Sequence, residues 1–138
     1  MIRRYRRGDA ARVYVQKEQL AEKREAVKFF EEITAYSLLD DRDKVVAVFG
    51  FRIVGNGAEC FSLLGDSMGE KMIEFMRFVN KKIKTEARKR NVENILITVK
   101  DGFYNARRMA EMLGFKEVAK LPLFFGNKDY WLFMRKEF

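Results

Sequence analysis

The chain has 138 residues, with 28 lysines and arginines against 20 aspartates and glutamates, for a formal net charge of +8. A hydrophobic share of 48% with 13 phenylalanines is enough for a packed core and excludes a disordered chain. With no histidine and a single cysteine, a Ser-His-Asp triad, a histidine metal site and an intramolecular disulfide are all excluded.

In chain order, residues 2–7 read as a first strand, with Ile2 and Tyr5 turned inward. Gly8-Asp9 ends it, and Asp9 is a good N-cap for a helix carrying Ala10, Ala11, Val13, Tyr14 and Leu20. A second helix covers about 23–33, with Val27, Phe30 and Ile33 on one face at i, i+3 spacing. Residues 35–39 read as a strand, followed by a polar turn at Asp40-Asp41-Arg42-Asp43. Residues 44–54 form a long strand rich in Val and Phe, in which Gly50 predicts a bulge or a close backbone approach. Gly55-Asn56-Gly57 predicts a hairpin turn, and 58–64 the next strand.

A short loop at 65–69 opens a long helix over about 68–90. Its apolar stripe holds Met72, Phe75, Met76, Val79, Ile83 and Ala87, and its other face is basic, with Arg77, Lys81, Lys82, Lys84 and Arg88. Asn91 stops it. Residues 92–99 read as a buried strand, followed by the loop Lys100-Asp-Gly-Phe-Tyr-Asn105 and a short helix ending at Leu113-Gly114-Phe115. The glycine sits where a helix C-terminus takes a left-handed residue, and Phe115 can pack back on the helix. Another strand follows, then the turn signal Gly126-Asn127 and a strand at 129–134. No repeat, low-complexity tract or linker is present, and Pro122 is the only proline, so the chain reads as a single domain over 1–138.

The predicted class is α/β, more closely α+β: a mixed, mostly antiparallel sheet of about seven strands with about four helices. This order resembles that of the GNAT-type N-acetyltransferase superfamily over nearly the whole chain. The local matches are Ile2-Arg3 with Asp9, Ala58-Glu59 opening the fourth strand, and Leu113-Gly114-Phe115 near the end. The resemblance implies acetyl-CoA as cofactor and direct attack of an amine acceptor on the thioester. It places the pyrophosphate on backbone N–H groups at the start of the long helix, where dipole and free donors favour anions.

On this reading the cofactor-binding residues are Leu63, Leu64, Ser67, Met68, Gly69, Glu70 and Lys71, with Arg107 and Arg108 near the adenosine and its phosphate. The family loop pattern is R/Q-x-x-G-x-G/A. Setting its first glycine on Gly69 puts Asp66 at the Arg/Gln position and Lys71 at the small-residue position, and the loop is short. Asp66 and Glu70 would repel a pyrophosphate and better suit an ordinary loop with acids at a helix start, and Arg107 and Arg108 also suit a solvated helix face. Glu59 is the candidate general base, matching the fourth-strand acid of some members, and a strand-end Glu facing water is its plain alternative. Cys60, on the opposite face of that strand, reads as core.

The resemblance also implies a tyrosine acid five residues before Phe115, but that position is Ala110. Ala106 matches the family's small helix residue, and the family's asparagine falls on Phe103. These departures keep open a second reading: a GNAT-like fold that has lost catalysis and serves as a binding or structural protein. A narrower likeness to phage and prophage GNAT-like proteins, some virion-associated, points the same way. Nucleic acid suits the charge, but no RNA-binding motif or reading helix accompanies it, so it is not favoured. The single cysteine, the lack of a signal segment behind the basic N-terminus and the lack of a spanning apolar run predict a cytoplasmic protein with no membrane partner. Nothing in the sequence speaks to oligomeric state.

Overall fold

Alternating and continuous apolar runs become seven strands, and the computed structural model describes residues 1–31, 33–69 and 71–138 of them and their connections. The strands are β1 (Ile2–Arg4), β2 (Thr34–Leu39), β3 (Val45–Val54), β4 (Gly57–Leu64), β5 (Asn94–Lys100), β6 (Lys116–Phe125) and β7 (Lys128–Arg135). Among the described residues there are three α-helices, α1 (Leu20–Phe30), α2 (Lys71–Lys89) and α3 (Tyr104–Met112). The strands join in the order β1-β2-β3-β4-β5-β7-β6. The described ladders are antiparallel except β4–β5, which is parallel. The mixed, mostly antiparallel sheet is therefore as expected, with three helices in place of about four.

The missing helix is the one expected after Asp9. Only a 3-10 turn forms there, Ala10–Arg12, and Val13 is already extended at φ −75°, ψ 122°. Val13, Tyr14 and Val15 are β-branched or aromatic, types that lose rotamer freedom in a helix. Val15 instead makes an antiparallel bridge to Gly65. A second 3-10 turn, Lys17–Gln19, leads into α1, which starts and ends three residues before the expected 23–33. Glu32 lies outside the described residues.

The chain divides into two compact units, Met1–Arg52 with Cys60–Arg77, and Ile53–Glu59 with Phe78–Phe138. The core of the first gathers Ala10, Val13, Val15, Phe30, Ala35, Leu39, Val45, Val48 and Leu63, with Tyr5, Val27, Ile33 and Phe61 packed against it. Tyr5 stacks on Phe30, and its hydroxyl donates to Glu31 Oε1 at 2.9 Å. Burial, above all, pushes this phenol up to about 12. Gly50 makes the expected close approach: a Cβ there would sit 2.6 Å from Ile33 Cδ1 and 3.0 Å from Thr34 O. The irregularity in that pair of strands falls at Leu38 and Leu39 instead.

Asp9 does not cap a helix with its side chain. It is fully buried and accepts from Arg3 Nη1 and Nη2, the Arg6 N–H and the Ser37 hydroxyl. Burial opposes its charge, and those donors together outweigh burial, holding the carboxyl below its usual range.

In the second unit, α2 buries Val79, Ile83 and Ala87 at i, i+4 spacing and stops at Asn91, which is left-handed at φ 51°. The α3 stop is a Schellman motif. Gly114 has φ +86°, its N–H reaches Glu111 O, and the Phe115 N–H reaches Ala110 O, both at 3.0 Å. Arg135, 8% exposed, ties that stop to β7, with Nη1 donating to Leu113 O at 2.8 Å and to Asn80 Oδ1 at 2.9 Å. Gly126 and Asn127, both with positive φ, turn β6 into β7.

Candidate functional site

The end of β4 and the loop after it hold most of the residues expected to bind a cofactor. Leu63 and Leu64 are core side chains, 1% and 0% exposed, so only their backbones can meet a ligand. Gly65 is pressed between two backbones. Its N–H donates to Val46 O at 2.8 Å, and a Cβ on it would lie 2.2 Å from that oxygen. From the other side residues 13–16 run antiparallel to it, with Asp66 N–H donating to Tyr14 O and Gln16 N–H to Leu64 O. Only glycine fits there, although the sequence pattern set no requirement on Gly65.

Past Gly65 the backbone opens. Asp66, Ser67 and Gly69 are exposed, Met68 is buried, and Gly69 is left-handed at φ +48° with nothing near its missing Cβ. The N–H groups of Ser67, Met68 and Gly69 donate to nothing among the described residues. Such a run of free donors ahead of a helix suits an anion. Met68 and Gly69, expected at the start of the helix, lie outside its described span of Lys71–Lys89, with Lys71 N–H donating to Met68 O and Met72 N–H to Gly69 O. Glu70 lies outside the described residues. Lys71 Nζ is 3.3 Å from Asp41 Oδ1 and 3.9 Å from Glu74 Oε2, and the Asp41 hydrogen bond raises its pKa. Its charge is thus shared with two carboxylates.

A residue that no sequence signal marks binds the β4 backbone from the turn before α1. Gln19, 5% exposed, donates from Nε2 to Ser62 O at 2.9 Å and accepts at Oε1 from Leu64 N–H at 2.8 Å. No spacing or motif marks this glutamine, and the helix expected at that point put no polar side chain against a strand.

In the second unit, Glu59 is half-buried and opposite Leu96 in the parallel β4–β5 ladder. Ala106 is half-buried, Ala110 fully buried and Phe103 3% exposed, so the small and apolar residues of α3 face the core there. Tyr104 is 78% exposed. Arg107 pairs with Glu111 and Glu117 and lies over the rings of Trp131 and Phe133. Arg108 is exposed on the same helix. In the other unit, Arg3 of the basic N-terminus is engaged with Asp9, which leaves Arg4, Arg6 and Arg7 exposed. Cys60 is buried, as expected of core. Among the described residues no group of three or more His, Cys, Asp or Glu could hold a metal ion, and no helix is long and apolar enough to cross a membrane.

The residues at the end of β4 and in the loop after it fit coenzyme A in part. The amides of Ser67, Met68 and Gly69, which donate to nothing among the described residues, suit a pyrophosphate, while Ser62 O and Leu64 N–H are already satisfied by Gln19.

No family model matches the chain, and no curated protein matches it by sequence. Solved structures match it along its length. A GNAT-family acetyltransferase from Bacillus anthracis superposes with a TM-score of 0.71 at 13% identity, covering 98% of this chain and 93% of that one. An IAA acetyltransferase from Bacillus cereus ATCC 14579 gives 0.73 at 12% identity, covering 99% of both chains. A ribosomal-protein-alanine N-acetyltransferase from Brucella melitensis gives 0.70 at 15% identity, again covering 99% of both. The narrower likeness to phage proteins has no support among these structures. The chain has the fold of the GNAT-type N-acetyltransferases.

Proposed function

We propose that this chain is an N-acyltransferase that moves an acetyl group from acetyl-CoA to an amine. The observation that carries the reading is the end-to-end match of the fold to acetyltransferases named for different acceptors. Free amides at Ser67, Met68 and Gly69 support it, as donors suited to the phosphates. When bound, acetyl-CoA supplies the activated acetyl thioester. Glu59 is the group assigned to take the amine proton at its carboxylate, from a half-buried place on β4. Arg108 is the exposed cation assigned to the adenosine phosphate. No residue is assigned as acid, since Ala110 has no proton to give. A cytoplasmic setting belongs to the same reading and rests on the single cysteine.

Calorimetric titration with acetyl-CoA tests the reading, followed by mass spectrometry of an amine panel incubated with enzyme and donor. Saturable binding and a product heavier by one acetyl group are expected. No heat at millimolar donor overturns it.

A second reading, a binding or structural protein on an acetyltransferase fold, is favoured by one observation. Lys71 and Arg107, two of the cations assigned to the cofactor, are already paired with carboxylates. The same titration separates the two readings.

A further inference from the structure

The β4–β5 ladder covers only Gly57, Ala58 and Glu59, while β4 runs on to Leu64. Gly65 donates toward β3, through Val46 O. Backbone groups alternate between the two edges of a strand, so those of Ser62 and Leu64 belong to the other edge. Left bare, they would be an unsatisfied strand edge. Gln19 covers them. A carboxamide carries the donor and acceptor of a peptide group. Its bonds to Ser62 O and from Leu64 N–H are the pair that one residue of a parallel neighbour would make on either side of Leu63.

The pantetheine arm of coenzyme A is an extended chain carrying secondary amides. It can add to a strand edge in the way a peptide does. On the acetyl-CoA reading, on which this inference rests, the arm and Gln19 compete for the same donor and acceptor. We propose that Gln19 is a latch on β4: it closes the Ser62 and Leu64 edge in the free protein, and donor entry requires its side chain to swing away.

Two features bear on this movement of a side chain that is 5% exposed. Gln19 lies in a 3-10 turn, an element with poorer hydrogen-bond geometry than an α-helix. The neighbouring segment, residues 13–16, is held separately, by the Gln16 and Asp66 backbone bonds and by Lys23 Nζ on Val13 O at 2.6 Å. Side-chain rotation of Gln19 alone therefore frees Ser62 O and Leu64 N–H and leaves residues 13–16 in place.

The test compares wild type and Gln19→Ala by calorimetric titration with acetyl-CoA, and with the adenosine bisphosphate half of coenzyme A, which lacks the arm. Removing a competitor that makes two hydrogen bonds should tighten acetyl-CoA by about tenfold and leave the fragment unchanged. Equal acetyl-CoA affinity in both proteins overturns the latch and leaves the donor reading standing. Weaker binding by the variant also overturns it, since Gln19 would then hold the donor. Absence of binding to both proteins removes the donor reading and the latch together. Should Gln19→Ala fail to fold, the Gln19 side-chain amide resonance of nitrogen-labelled wild type decides. A large shift on adding acetyl-CoA supports the latch, and saturable binding with that resonance unmoved overturns it.

Discussion

Arg3 grips Asp9 at two points, Nη1 to Oδ2 at 2.6 Å and Nη2 to Oδ1 at 3.1 Å, inside a pocket where the aspartate is fully buried. Ser37 and the Arg6 N–H complete the shell, so the contact fastens β1, β2 and the turn after β1 to one another. Asp9→Ala leaves a guanidinium and a hydroxyl without their acceptor and should cost about 3 kcal/mol in denaturant unfolding. The pH dependence follows from the lowered carboxyl. Its stabilisation is fully present above the unfolded value of about 3.9 and is lost as pH falls through the folded value below that. Wild type should therefore lose stability in acid over that window, and Asp9→Asn should remove this part of the loss. An unchanged acid profile in Asp9→Asn would remove Asp9 from the account.

Gly65 and Gly69 should behave differently when each is changed to alanine. At Gly65 the new Cβ meets Val46 O at 2.2 Å, and backbone must shift on both sides. The expected loss is about 2 kcal/mol, with the Val15 bridge broken. At Gly69 the space is open and only φ +48° resists, for about 1 kcal/mol. Thermal unfolding of the two variants checks the order, and a Gly69→Ala variant less stable than Gly65→Ala would contradict it.

What the sequence made legible follows from how local each signal is. Leu113-Gly114-Phe115 announced its Schellman stop because the whole motif fits within six residues, from Ala110 to Phe115. Gly126-Asn127 announced a hairpin for the same reason, whereas Gly50 announced a close approach only because a glycine inside an apolar strand run is itself a signal, its neighbours Thr34 and Ala35 lying on β2. Asp9 was misread because an aspartate before small residues is locally a good cap, while its partners Arg3 and Ser37 are brought to it by strand pairing. Gln19 was invisible for a stronger reason. Its role depends on the edge of a strand more than forty residues away, and no pattern in its own neighbourhood reports that edge. The loop before α2 is nominated for the cofactor by its place alone, and the engagement of Lys71 with Asp41 needs the β2–β3 turn to be in position.

Glu59→Gln tests the assigned base. The amide keeps the shape and loses the proton acceptor. The expected result is a fall in kcat of about a hundredfold or more, with calorimetric affinity for acetyl-CoA unchanged. Raising the pH, which supplies deprotonated amine directly, should narrow the gap between variant and wild type. Equal kcat in the two proteins at all pH values would remove Glu59 from the chemistry.

Arg107 and Arg108 are neighbours on α3 with opposite expected phenotypes. Arg107 is bound at both ends of its guanidinium, by Glu111 within its helix and by Glu117 on β6, and it covers the rings of Trp131 and Phe133. Arg107→Ala therefore removes a link between α3 and the β6–β7 hairpin and should lower the unfolding midpoint. Arg108 is exposed and its removal should leave that midpoint unchanged. Its effect should appear in binding instead. An exposed ion pair contributes up to about 1 kcal/mol, so Arg108→Ala should weaken acetyl-CoA by up to about fivefold. The loss should vanish for the dephosphorylated donor, and high salt should shrink it. If Arg108→Ala weakens both donors equally, the residue does not meet the adenosine phosphate. If Arg107→Ala leaves stability intact but weakens the phosphorylated donor, the roles of the two arginines are exchanged.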